Sequence, residues 1–360
     1  MKKLLFFLLA AAIVIGSAGC AASTPDTATP APSASYEKIS TAPTIALIFA
    51  QENSFYERMQ KEAETIAAEK GYEIKTYYSN SDSQQVSDIY SALGAGALSI
   101  MLVPRNMDNL QDVLDECVLQ DVPVINLMVP VNGRVNMLVC PDYQLMGARG
   151  AQAIRNALGE DPANVFLLES VEGTFVSQLT HDGFAAECAG LEGVTIKAVG
   201  LVHLNPDEAY AETKKQLAND PDINAVFAMD ESFVKGVLEA ARESGRDIKI
   251  VSVGGNSGVM KMVSEGSVYA SVFISPAELA QIAMEHAVKS AADSNYILPQ
   301  YQGLTVETIF PTDVDKYRAF GDYADALTNK AALPQEPLGS QPESSGSPDG
   351  QAGGESPEPS

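Results

Sequence analysis

The run Thr44-Ile-Ala-Leu-Ile-Phe49 is followed by Phe55, Met59, Ala63, Ile66 and Ala67 at helical spacing, and then by Gly71. A short unbroken apolar run reads as a strand buried on both faces, and the spaced residues as a helix laid over one of them. Glycine then supplies the left-handed conformation in which helices stop. The alternation continues. Strands are expected at 72–78, 98–103 and 124–127, each preceded by a helix. From Gln144 the rhythm restarts, with a helix to Leu158, a strand at 164–168, a helix to Ala189 and a strand at 194–199. A helix at 208–218, a strand at 225–228, a helix at 232–244 and a strand at 249–253 continue it. This is α/β architecture, with two similar doubly wound parallel-sheet lobes in succession.

After an expected strand at 269–273, Ile274-Ser275-Pro276 breaks the pattern, and the long helix 277–292 is out of step with the second sheet. A helix returning to the first lobe accounts for this. The expected division is 44–141 plus 275–305 for lobe I and 142–274 plus 306–312 for lobe II, with a C-terminal segment at 313–329. Several chain crossings between lobes make a multi-segment hinge with a cleft beneath it.

The ends read differently. Lys2 and Lys3, an apolar run from Leu4 to Ile15 and Gly16-Ser17-Ala18-Gly19-Cys20 form an export signal, too short to span a bilayer. The alternative is an ordinary signal peptide with a coincidental cysteine. Residues 21–43, rich in Ala, Ser, Thr and Pro, have the composition of an extended tether. The tail at 330–360 is Pro-, Gly- and Ser-rich, with five acidic residues, and is expected to be disordered.

The formal charge of the 360-residue chain is −24, more than the tail accounts for. Such acidity disfavours nucleic acid and anionic lipid as partners. With Cys20 set aside, Cys117, Cys140 and Cys188 remain, an odd number that makes no disulfide framework. Cys117 and Cys188 sit in helical apolar stripes, and Cys140 follows a strand-like run in an expected interlobe connection. No cofactor or metal is expected, because no ligand spacing, phosphate loop or nucleophile elbow is present. His181, His203 and His286 are far apart, and each reads as a surface or satisfied residue.

In open parallel sheets ligands bind beyond the carboxyl ends of the strands, so the turns after each strand are the candidates. The first, Gln51-Glu52-Asn53-Ser54-Phe55-Tyr56, offers an amide and two adjacent aromatic rings that could pack on a sugar or base. Its structural alternative is a capping box of Ser54 with Glu57, Phe55 opening the apolar stripe. Asp230 could accept hydroxyl or amine hydrogen bonds, or cap the helix from Ser232. Arg105 could pair with an anionic group or sit on the rim, and Asn256 could touch ligand or cap a helix. Gly254-Gly255-Asn256-Ser257-Gly258 fits a strand-end turn.

Taken together, residues 44–312 resemble the periplasmic binding proteins of the ribose-binding type, which serve ATP-binding-cassette importers. The resemblance is carried by Thr44 to Phe49 with Asn53-x-Phe55-Tyr56, by Lys70-Gly71-Tyr72 and by Pro123-Val124-Ile125. Asp142 to Gly147, Gly173-Thr174, Gly183-Phe184 and Pro221-Asp-Ile-Asn-Ala-Val-Phe-Ala228 add to it. The trio before Cys20 likewise resembles the lipobox of bacterial lipoproteins, which implies a lipid-modified N-terminal cysteine.

The resemblance implies that Asn53, Phe55 and Tyr56 pack on the ligand. It places the family's Asp-Arg pair on Met128-Val129, an arginine on Gln178, an asparagine on Asp230, an aspartate on Gly254 and the hinge glutamine on Ile274. Most of the polar grip on sugar hydroxyls is therefore replaced. Each charged hydrogen bond missing from such a site is worth roughly 1.5–3 kcal/mol, so ribose itself is expected to bind weakly.

The expectation is a non-enzymatic, monomeric, lipid-anchored solute-binding protein outside the cytoplasm. It would close on a small sugar-like, nucleoside or related ligand and pass it to a membrane permease of the ATP-binding-cassette type. The alternatives are a sensing lipoprotein for a membrane receptor and a non-transport lipoprotein whose cleft has decayed.

Overall fold

The computed structural model describes residues 42–171 and 174–315. The export signal, most of the tether, Cys20, Gly173 and the acidic tail lie outside the described residues.

Strand β1 (Thr44–Phe49) is followed by α1 (Ser54–Lys70), β2 (Glu73–Tyr78), α2 (Asp82–Gly94), β3 (Ser99–Leu102), α3 (Gln111–Leu119), β4 (Val124–Leu127) and β5 (Met137–Pro141). The second series is α4 (Tyr143–Leu158), β6 (Ala163–Ser170), α5 (Thr174–Cys188), β7 (Val194–Val202), α6 (Pro206–Asn219), β8 (Ala225–Ala228), α7 (Val234–Ser244), β9 (Lys249–Val253), α8 (Ser257–Ser264) and β10 (Ala270–Phe273). Then come α9 (Pro276–Ala292), β11 (Tyr301–Leu304) and β12 (Glu307–Ile309).

Two six-stranded sheets result, ordered β11-β5-β4-β3-β1-β2 and β12-β10-β9-β8-β6-β7. The described pairings are parallel except that β12 runs antiparallel to β10. Burial on both faces explains the apolar runs. In β1, Ile45, Leu47 and Phe49 share a core with Met59, Ala63 and Ala67 of α1, while Ala46 and Ile48 face Ile89 and Ala92 of α2 and Leu114 of α3. In β6, Phe166 and Leu168 pack with α6, α7 and α8, whereas Val165 and Leu167 pack with α4 and α5. Gly71, at φ +78, ends α1 by donating to the carbonyls of Ala67 and Ala68.

Helix α9 puts Leu279, Ala280, Ala283, Met284 and Ala287 into the core of the first sheet. Among the described residues the chain passes between the sheets after β5, after β10 and after β11. The third crossing is fixed by Glu278, whose carboxylate accepts from the backbone N–H and hydroxyl of Thr305.

Two strands escape a reading by pattern. β11 and β12 are short, half-exposed edge strands with little apolar signal. Cys140 and Pro141, expected to follow a strand, lie inside β5, where Pro141 pairs with Leu304 at the strand's end. Among the described residues Cys117, Cys140 and Cys188 are free, and burial pushes the Cys117 and Cys188 thiols up to about 11. Thiols with pKa values so raised keep their protons at neutral pH.

Candidate functional site

Parallel strands deliver every following turn to the same edge, so the ends of β1, β3, β4, β8 and β9 define the site. At the end of β1 the backbone of Asn53 is extended, and its side-chain oxygen accepts the N–H of Tyr56 at 2.9 Å. Asn53 is thus the cap of α1, and Ser54 is the first helical residue rather than the start of a capping box. The cap aims the next two rings. Tyr56 stacks on Phe49 with centroids 4.8 Å apart, Phe49 stacks on Tyr78 at 5.2 Å, and Phe55 meets Tyr56 edge-on at 5.7 Å. Phe55 packs against the cores of both lobes.

Met128, just beyond β4, does the same. It adopts φ +67, a left-handed conformation unusual for a side chain of its kind. Two hydrogen bonds hold it there: its N–H donates to the Val139 carbonyl at 2.7 Å, and its carbonyl accepts the Tyr143 hydroxyl at 3.0 Å. Tyr143 belongs to α4, so this bond links the lobes.

From the second lobe, the Asp230 carboxylate accepts the N–H of Ser232 at 2.8 Å and orders the turn before α7. Asn256 caps α8 by accepting from Val259. Between them stands Glu231, whose Oε2 accepts the N–H groups of Gly255 and Asn256, both at 2.9 Å. Gly254, at φ +113, is required there, since a Cβ would lie 2.5 Å from Glu231 Oε2.

Across the cleft, Ser54 Oγ donates to Glu231 Oε1 at 3.4 Å, and Arg58 Nη1 donates to the Gly255 carbonyl at 3.0 Å. The structure therefore brings the Asn53–Tyr56 turn against the Asp230–Glu231 and Gly255–Asn256 turns. Burial, and secondarily the Asp230 carboxylate, push the Tyr56 phenol up to about 12. Burial, with Cys140 and Tyr56 nearby, holds the Tyr143 phenol well above its usual range.

Other sequence candidates fall elsewhere. Arg105 ties strand ends within the first lobe, donating to the carbonyls of Ala50 and Ser79 and lying 3.4 Å from Asp82. Gln178 is exposed on α5 and bonds Asp182 of its own helix. Ile274 is buried in the second lobe's core. Ser54 and Glu231 lie within strand-end turns that the sequence singles out, although neither stands out there as a ligand contact; Arg58 and Tyr143 lie outside those turns, and no local signal marks them.

A cavity of about 410 Å³ lies elsewhere, between α4 and β12, lined by Arg149, Gln152, Asn156, Thr308 and Phe310 among others. Its lining includes none of the strand-end turns. The convergence of both sheets' ends, and not that cavity, therefore locates the candidate site.

The Tyr56 phenol makes a testable pH dependence. Because its pKa is raised on folding, its contribution is complete below about pH 10, where the unfolded phenol keeps its proton, and fades as pH climbs toward 12. Tyr56→Phe should remove about 1 kcal/mol of stability loss between about pH 9 and about pH 11. Denaturant midpoints of the two proteins at both pH values provide the check; equal alkaline losses would mean the phenol is not so enclosed.

The comparisons with known proteins agree with this architecture. The chain is 24% identical over 291 residues to the ribose import binding protein RbsB of Bacillus subtilis, covering 80% of this chain and 92% of that protein. It is 23% identical over 260 residues to the D-allose-binding periplasmic protein of Escherichia coli, covering 69% and 83%. Among solved structures, a periplasmic solute-binding protein of an ABC transporter from Actinobacillus succinogenes with bound D-allose superposes with a TM-score of 0.72 at 20% identity, covering 76% of this chain and all of that one. The Caulobacter myo-inositol binding protein gives 0.69 at 20% identity, covering 79% of this chain and all of that one. These relatives are binding proteins, not enzymes. Residues 45–294 match the model of the periplasmic binding protein domain, and the chain belongs to that family.

Proposed function

We propose that this chain is a lipid-anchored, extracytoplasmic solute-binding protein that captures a small sugar-like or nucleoside-like molecule between its lobes and delivers it to an ATP-binding-cassette permease. The observation that carries this reading is the meeting of the start of α1, through Ser54, Phe55, Tyr56 and Arg58, with the second lobe at its Asp230–Glu231 and Gly255–Asn256 turns. Rings on one side and a carboxylate with backbone polar groups on the other suit a ligand with one flat apolar face and hydroxyl or amine donors. The relatives named for ribose and D-allose support a sugar-like class. Apolar Met128 and Ile274, where the family resemblance implies polar grips, argue against plain ribose as the preferred ligand. A ligand that fits the closed state better than the open one would stabilise closure further.

Thermal unfolding of the chain from Ala21 onward, against a panel of sugars, nucleosides, polyols and amines, tests this. A ligand at about a thousand times its dissociation constant adds about 4 kcal/mol, or roughly 8–16 °C. Silence across the panel would favour a second reading, a cleft no longer used for transport. That reading draws on the way Phe55 and Met128 already fill the space between the two cores.

A further inference from the structure

We infer that the first turn of α1 is a latch that holds the lobes closed before any ligand arrives. The receiving corner on lobe II is prebuilt. Glu231 Oε2 takes two backbone N–H groups of the 254–256 turn, and the φ of +113 at Gly254 brings that backbone under the carboxylate. This leaves Glu231 Oε1 and the Gly255 carbonyl facing lobe I, where Ser54 and Arg58 reach them. The two latch residues sit one helical turn apart, so a single face of α1 makes both contacts. Arg58 is held in place for this by donating from Nε to the Ser54 carbonyl at 3.2 Å.

Apolar contact lies alongside the latch. Phe55, next to Ser54, and Met128 pack on both cores, and the Tyr143 bond to Met128 adds a third polar tie between the lobes. Every one of these contacts is protein to protein. They are therefore available to the lobes with no ligand between them, and a ligand enters by competing with Phe55 and Met128 for the space between the lobes.

The inference does not depend on what the ligand is, and its test contains none. The chain has no tryptophan, so Phe55→Trp installs a single indole at the lobe junction. In the full chain without ligand, its emission should be that of a dry indole. Adding Ser54→Ala and Arg58→Ala should shift it to the red, with the open-to-closed ratio rising roughly 5- to 100-fold for two lost polar contacts. Alanine is a good helix former, and neither side chain belongs to a core cluster, so the fold should survive.

A larger ring can itself prise the lobes apart, so small-angle scattering compares the otherwise unaltered chain with its Ser54→Ala/Arg58→Ala variant. The variant should have the larger radius of gyration. A water-exposed indole in the parent together with identical scattering curves would overturn the latch, as would a dry indole that the double substitution leaves unmoved. Either failure leaves the ligand-binding proposal standing, and a silent ligand panel leaves the latch standing.

Discussion

A single methyl group at Gly147 is expected to lower stability by about 4 kcal/mol and the melting temperature by roughly 8–16 °C. An ideal Cβ there would lie 1.9 Å from the Thr180 carbonyl oxygen and 2.6 Å from the Phe184 nitrogen. On the facing helix, a Cβ at Gly183 would lie 2.0 Å from the Gln144 oxygen. Helices α4 and α5 thus touch backbone to backbone through paired glycines. An added methylene in a core usually costs about 1–3 kcal/mol because side chains can shift; here the obstruction is main chain and cannot.

The consequence reaches the cleft, since α4 begins with Tyr143, which bonds Met128, and α5 carries Phe175 against the Tyr143 ring. Gly147→Ala should therefore weaken lobe closure as well as the fold. Gly94→Ala is the control: nothing lies within 4 Å of its added methyl, so little change is expected. If the two variants melted alike, the close helix approach would be wrong.

Cys20→Ser is expected to move the protein from the membrane fraction to the medium. Each buried methylene of an acyl chain contributes about 0.8 kcal/mol, so two or more chains on one cysteine would hold a folded domain at a membrane almost completely. Among the described residues no helix is long and apolar enough to cross a membrane, so this region offers no helical span in place of the lipid. Fractionation of cells followed by immunoblotting reads the outcome. Unchanged partitioning would sink the anchor and leave the binding fold untouched, because Cys20 precedes β1 by more than twenty residues.

The core was legible because its signals are local. Thr44–Phe49, Val124–Leu127, Ala225–Ala228 and Lys249–Val253 are strands with the bounds their apolar runs suggest. Parallel strands buried on both faces are predominantly apolar, so the run and the strand largely coincide; the buried Asn126 and Ser252 are accommodated by hydrogen bonds to the Val129 carbonyl and the Ser271 hydroxyl. Edge strands β11 and β12 escaped because half-exposed residues carry no such constraint. Within the candidate site, Asn53 and Asn256 were legible as polar residues before helices. The structure shows both capping, a role that aims neighbouring side chains without excluding ligand contact.

Arg105 and Gln178 show the limit of reading one residue at a time. A charged or amide side chain beyond a strand looks available, yet Arg105 is taken up by carbonyls of its own lobe and Gln178 by its own helix. Backbone acceptors leave no trace in side-chain identity. The same holds for the partners that matter most here, since Arg58 binds a glycine carbonyl and Tyr143 a methionine carbonyl.

By itself, the sequence determined the order of the central strands and most of their helices, the two repeated lobes and the turns at which a ligand could sit, because periodicity and capping act over a few residues. Only the tertiary structure decided that Ser54 meets Glu231 and that Arg58 meets Gly255, 197 residues away. It also decided that Phe55 and Met128 lie between the two cores. Those contacts depend on how one folded lobe docks on the other. Docking is set by the summed packing of both sheets and the three crossings, which no local pattern encodes.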